Sequence, residues 1–508
     1  MTTRTRTSVR TWPRRVLDTT VAFTLGLATL AGIVVAGVFV TGRGTHQPVP
    51  ARSVGTAPAS VQYAEPGRAT IQYAEPGRAT MPVGQRHGRR LVVAFVAGSS
   101  GTVASDLLAP YDIFASSPAF TTYIVAADAT PAALDGGPAV VPTYTFAGVD
   151  ADPTLTPDLV VVPALGKPTG DAEAPLRAWV ARQHDGGARV LGVCSGSLVL
   201  AATGMLEGLD ATSHWSRISA LEKSRPAVHW MRGREWVEDG SVNTTAAVTS
   251  GVPAALHLVA ELAGPAEAQR VADLHPEFGW TPTQTTTIAE DHFAVGDWPV
   301  GLNYVMPWFR PTVGIALRQG VDELDATAAF EVYGQSSAAR TVALATSDTV
   351  RTRHGLVLLT TSLADAPGLS RVVVPDAAAP DAFSPELGAW ADNRGLTLEP
   401  LAGRAAPDGS RPGGGGFSAA LQNLADHTDA TTTTATAKMI GYPTAGLDLG
   451  RRHGSWRPVL LATASLTLAV LVGLAYAALA RRRRRRLAFD SAPATESMAE
   501  PEAAHLTA

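Results

Sequence analysis

The chain has 508 residues, too many for one ordinary core at roughly 100–200 residues per domain. A formal net charge of −4, with 17% charged residues, lays no basic field over the folded part, which excludes nucleic acid as a partner. The chain has one cysteine, Cys194, so no internal disulfide can form and no structural bridge explains that residue.

Residues 1–15 carry Arg4, Arg6, Arg10, Arg14 and Arg15 and precede an apolar stretch, 16–40, that holds a single charge, Asp18. A second apolar stretch, 459–480, has no charge and runs straight into Arg481 to Arg486. Each is long enough for a hydrocarbon layer needing ~20 residues, and positive flanks stay on the cytoplasmic side. The expectation is a cell-membrane protein with two transmembrane helices in the lipid bilayer, both termini cytoplasmic and residues 41–458 extracytoplasmic. The first stretch reads as an anchor rather than a cleaved signal peptide, because its apolar part exceeds a typical h-region and no small-x-small site follows. Residues 481–508 read as a basic, then disordered tail, its arginine run acting as stop-transfer and contacting anionic lipid.

Residues 41–90 are rich in Pro, Gly, Ala and Arg without apolar periodicity, which predicts a flexible linker. VQYAEPGRAT at 61–70 is followed by IQYAEPGRAT at 71–80, a tandem duplication too short for a solenoid. From Leu91 the texture changes. LVVAFVA, TTYIVAA, DLVVVPA at 158–164 and Arg189 to Val193 read as short buried strands, alternating with helices over 105–116, 175–183 and 195–203. A strand pair about Asp239-Gly240 and a helix over 252–263, stopped by Gly264-Pro265, complete a doubly wound, mostly parallel α/β domain over 91–265.

Residues 266–311 read as a connector whose Trp- and Pro-rich part, 278–310, packs between domains. Residues 312–347 then align with 93–128 at constant offset, pairing Asp325 with Asp106, Phe330 with Tyr111 and Glu331 with Asp112. RVVVP at 371–375 repeats LVVVP at 159–163, but the next strand, LTLEPLAGRA, has no Cys or Ser elbow. Residues 312–443 are therefore expected to be a degenerate second copy, catalytically empty, pairing with the first inside the chain; 444–458 read as a linker.

The chemistry centres on Gly192-Val193-Cys194-Ser195-Gly196, a strand entering a helix through a G-x-C-x-G turn. Small flanking residues allow a sharp, strained elbow that projects the thiol, and a helix N-terminus favours thiolate. Asp273, His275 and Glu277 alternate and Asp291-His292 lies nearby, but neither spacing matches a closed metal site, and no phosphate loop is present. Neither a metal nor a cofactor is called for.

DLLAPYDIF at 106–114, DLVVVPA, VLGVCSGSLVLAATGML at 190–206, ATSHW at 211–215 and WVEDGSVNTTAAVTSGVPAALHLVAELAG at 236–264 occur in that order. In these motifs the chain resembles the ThiJ/PfpI family of the class I glutamine amidotransferase-like superfamily, in particular the amidase-like group that includes isonitrile hydratase and sensor domains of AraC-type regulators. The resemblance implies a flavodoxin-like fold. It also implies Cys194 as nucleophile, Asp106 as the acid that hydrogen-bonds the cysteine and shuttles its proton, and His214 either as helper base or as a hydrogen-bonded structural histidine. Ser195 stands where the protease branch has histidine, which argues against a peptidase. The oxyanion would rest on the Ser195 N–H, whereas Ala164-Leu165 replaces a family Gly pair and leaves the second donor, at Leu165, open.

Three functions follow as expectations. The first is a cysteine-dependent hydrolase or lyase, amidase or hydratase in type, for small carbon–nitrogen or carbonyl substrates outside the cytoplasm. The second is a tethered module binding a small-molecule ligand, and the third is a redox or stress sensor through Cys194.

Overall fold

The computed structural model describes residues 12–44, 89–377, 383–401, 416–450 and 457–490. The tandem repeat at 61–80 and residues 402–415 lie outside them. Two compact units result, one of residues 1–38 with 457–508 and one of residues 39–456.

The smaller unit contains two helices, Trp12–Gly44 and Arg457–Asp490. Both are long and apolar enough to cross a membrane, by length and composition. They meet through small residues: a Cβ on Gly26 would lie 3.0 Å from the Ala469 carbonyl oxygen, and one on Gly473 would lie 2.9 Å from that of Ala22. Such close backbone approach is what glycine permits at helix contacts. Asp18, the charge inside the first apolar stretch, pairs with Arg484 of the arginine run. That run continues the helix to Asp490 instead of ending it at 480, as the helix propensity of arginine allows.

In the larger unit, β1 (Leu91–Val96), β2 (Phe120–Ala126), β3 (Tyr144–Thr145), β4 (Leu159–Val162), β5 (Arg189–Gly192), β6 (Trp236–Asp239) and β7 (Val242–Thr245) form one sheet ordered β6-β7-β5-β4-β1-β2-β3. All neighbours are parallel except the β6–β7 hairpin. β1 and β4 are buried at every position, the continuous apolar reading of a sheet covered on both faces. Around it lie α1 (Ala104–Ala115), α2 (Ala174–Asp185), α3 (Ser197–Thr203), α4 (Trp215–Ser224) and α5 (Gly251–Ala263). α1 is buried over every residue except its last, because β1, α5 and a helix of the second half all pack on it.

β8 (Thr312–Ala316), β9 (Arg340–Ala345), β10 (Thr361–Ser362), β11 (Arg371–Pro375) and β12 (Leu398–Leu401) form a second, all-parallel sheet ordered β10-β9-β8-β11-β12. That order matches β3-β2-β1-β4-β5. Its helices include α6 (Glu323–Ser336), α7 (Phe417–His427) and α8 (Ala430–Ile440). α6 lies against α1, and a mixed sheet also ties the halves together, with Leu358 and Leu359 pairing antiparallel with Val140 and Ala139.

The connector is more ordered than its composition predicts. It contains helices Pro265–Ala272 and Trp298–Val305, and Lys438 of α8 donates to the His292 carbonyl at 2.9 Å. Its aromatic side chains do not all pack between the halves, however: Phe293 is 68%, Trp298 51% and Phe309 83% exposed.

Candidate active site at the Cys194 elbow

β5 delivers the chain to Cys194, which adopts φ +54°, a left-handed backbone that a side chain ordinarily avoids. The flanking glycines are required by space. A Cβ on Gly196 would lie 2.1 Å from the Val162 carbonyl oxygen, and one on Gly192 would lie 2.8 Å from Leu200 Cδ1. The strained residue is held by its own amide, which donates to Thr245 Oγ1 at 2.9 Å, while Ser197 Oγ donates to the Cys194 carbonyl at 3.2 Å. The turn leaves β5 as a short 3-10 segment, Cys194–Gly196, before α3 begins at Ser197.

Asp106, in the first turn of α1, is fully buried beside Cys194, whose Sγ lies 4.0 Å from Ser195 Oγ. Its Oδ2 accepts from the Ala164 N–H at 3.0 Å, whereas Oδ1 has no hydrogen-bond partner. Burial, then the neighbouring Glu331 carboxyl, holds the Asp106 carboxyl well above the ordinary carboxylate range. The expected thiolate is not favoured either. Burial first, and then Asp106, push the Cys194 thiol well up, outweighing the opposing pull of the Ser195 backbone N–H. One short 3-10 turn and a seven-residue helix supply too little field to offset loss of water around a thiol that is 5% exposed. Burial therefore disfavours the charged form of both members of the pair.

His214 is placed differently. It caps α4, its Nδ1 accepting from Ser216 Oγ at 2.7 Å and from the Ser216 N–H at 3.3 Å, while its Nε2 donates to the Met439 carbonyl at 2.8 Å. Both ring nitrogens are thus committed, and burial lowers the ring's basicity. No ring nitrogen of His214 is left for the thiol, whose side-chain neighbour is Ser195 Oγ at 4.0 Å. Around Leu165 the pairing with the 101–103 segment uses the Ala164 carbonyl and the Gly166 N–H, so the Leu165 N–H is turned away from that segment.

Glu331 joins the site without any motif to announce it. It reaches from α6, is 3% exposed, accepts from Ser105 Oγ at 2.5 Å and from Gln335 Nε2 at 2.8 Å, and raises both Asp106 and Cys194. The only available signal is its alignment with Asp112, which identifies a helix position and not the site it faces. Thr245 likewise carries no motif of its own. A cavity of about 490 Å³ lies nearby, lined by residues that include Ser213, Trp215, Glu235, Ala246 and Lys438; Cys194 is not among them.

The DJ-1/PfpI family model matches residues 92–261. Isonitrile hydratase of Pseudomonas putida is 34% identical over 173 residues, covering 33% of this chain and 70% of that protein. The HTH-type transcriptional regulator CdhR of Pseudomonas aeruginosa is 33% identical over 144 residues, 27% of this chain and only 42% of the regulator. Among solved structures, a THiJ/PfpI family protein from Pseudomonas syringae is 30% identical, covering 39% of this chain and 81% of that one, with a TM-score of 0.34. The motifs, the sheet order around the elbow and the extent of the match to isonitrile hydratase together make this chain a member of the DJ-1/PfpI family.

Proposed function

We propose that this chain is a membrane-anchored, cysteine-dependent enzyme of hydratase or amidase type, acting outside the cytoplasm on small uncharged carbon–nitrogen substrates. The carrying observation is the buried Asp106 carboxyl beside the Cys194 elbow, where burial disfavours the charged form of both carboxyl and thiol. A neutral acid next to a neutral thiol suits addition to a C–N multiple bond. Sγ bonds to the electrophilic carbon, the Asp106 carboxyl gives its proton to the substrate, and the thiol proton returns to the carboxylate. Water then adds to the same carbon, the C–S bond breaks, and the sulfur recovers a proton. The Ser195 N–H steadies negative charge at the developing centre. The 34% identity to isonitrile hydratase makes isonitriles the first substrates to try, with nitriles and primary amides next.

The second half reads as a degenerate copy, supported by its matching strand order and by the absence of Cys or Ser in LTLEPL. Its pairing with the first half through α1 and α6 supplies Glu331 to the site. Apolar length and arginine flanks support the two anchors. Protease treatment of intact cells should digest the larger unit and spare the arginine-rich end; digestion of both only after lysis would overturn this topology.

The full chain in detergent should convert an isonitrile to its formamide, and Cys194→Ala and Asp106→Asn should each abolish conversion. Absence of both turnover and a covalent adduct on Cys194 across isonitriles, nitriles and amides would sink the enzyme reading. The cavity apart from Cys194 favours a second reading, a tethered ligand-binding module; ligand binding unaffected by Cys194→Ala is its expected signature. A buried thiol with raised pKa speaks against a redox sensor.

A further inference from the structure

We infer that Asp112, Glu323 and His354, with His275 as fourth ligand, form a buried site for one divalent transition-metal ion of the zinc class where α1 meets the second half. The four residues come from four segments: α1, the first turn of α6, the 352–356 hairpin turn, and the loop after helix Pro265–Ala272. His354 Nδ1 lies 2.9 Å from Glu323 Oε2 and 3.2 Å from Asp112 Oδ1, and His275 Nε2 lies 3.8 Å from Asp112 Oδ2. Ligand atoms around a tetrahedral ion with bonds of about 2.0–2.1 Å sit roughly 3.3 Å apart, so these separations bracket what an ion needs.

Two of the facing atoms have nothing else to do. Asp112 Oδ2 and His275 Nε2 are buried without any hydrogen-bond partner, on residues 0% and 6% exposed. An orphaned carboxylate oxygen opposite an orphaned imidazole nitrogen is costly in a dry interior, and a shared cation would satisfy both. The remaining atoms are oriented from outside, as ligands usually are. Glu323 Oε1 accepts from the His354 N–H at 2.9 Å, and His354 Nε2 lies 3.4 Å from Ser116 Oγ. Arg353, the nearby cation, is already engaged by Asp322 and Asp376, leaving the Asp112 and Glu323 carboxylates for a dication.

Imidazole with carboxylate and no thiolate suits zinc, manganese or ferrous ion over copper(I). The related carboxyl cluster around Glu331 lacks this donor set. The offset that pairs Glu331 with Asp112 also places Asp135 at the position of His354, so an acid replaces the imidazole there.

The test is zinc binding by the full chain in detergent, stripped with chelator and titrated with zinc chloride alone against a chromogenic competitor. One ion per chain is expected. His354→Gln and His275→Gln should each weaken binding about 10-fold or more, and Cys194→Ala should leave it unchanged. Should His354→Gln fail to fold, His275→Gln alone decides, since it removes a side chain with no hydrogen bond at Nε2. No stoichiometric zinc at micromolar concentration, or affinity unchanged in a folded His275→Gln, would overturn the site and leave an ion-pair cluster without metal.

Discussion

Replacing Thr245 by valine tests how the elbow is held. Thr245 is fully buried at the end of β7; its Oγ1 accepts from the Cys194 N–H at 2.9 Å and donates to the Ala247 carbonyl at 3.2 Å. Valine keeps the shape and removes both bonds. A buried polar group left unsatisfied costs about 1–3 kcal/mol. With an N–H stranded and a carbonyl half-stranded, the loss is about 2–4 kcal/mol, and it falls on a residue whose φ of +54° already stores strain. Melting of the full chain in detergent, followed by near-ultraviolet circular dichroism, should shift down by roughly 5 °C or more. Cys194 should alkylate faster, because the loosened turn exposes sulfur, and Thr245→Ser should restore both properties. A Thr245→Val protein with unaltered melting and alkylation would refute the view that this hydroxyl holds the elbow.

Further outcomes follow from the same geometry. The pH at which Cys194 becomes alkylatable should lie above the free-thiol value of ~8.5, and Asp106→Asn should lower it, with Glu331→Gln acting in the same direction, since both carboxyls raise the thiol. Asp106 itself has a folded pKa above its unfolded one. Its contribution to stability is therefore full below the ordinary carboxylate range and is lost as pH rises toward the folded value; urea midpoints should show that slope weakened in Asp106→Asn. Gly196→Ala should cost about 3 kcal/mol or more, because its Cβ would meet the Val162 carbonyl at 2.1 Å; an unchanged urea midpoint would show that β4 yields at Val162 and that the elbow does not need glycine there.

Much of the architecture was legible in the sequence because it rests on local pattern. LVVAFV and LVVV are strands because continuous apolar runs bounded by turn residues suit a sheet buried on both faces. Gly192 and Gly196 marked the elbow because only a missing side chain fits against Leu200 and Val162. The apolar runs at either end announced themselves by length and by their arginine flanks. What local pattern cannot carry is the environment of each group. Cys194 was expected to be acidic from its helix, yet burial beside Asp106 outweighs that field. His214 matched a motif, but Met439, 225 residues away, takes its Nε2. Glu331 and Asp112 occupy equivalent helix positions, and only the packing of α6 on α1 decides that one faces a thiol and the other two imidazoles. Identity and spacing follow from covalent order, whereas protonation and partnership follow from which distant atoms exclude water, and that is decided by the tertiary fold.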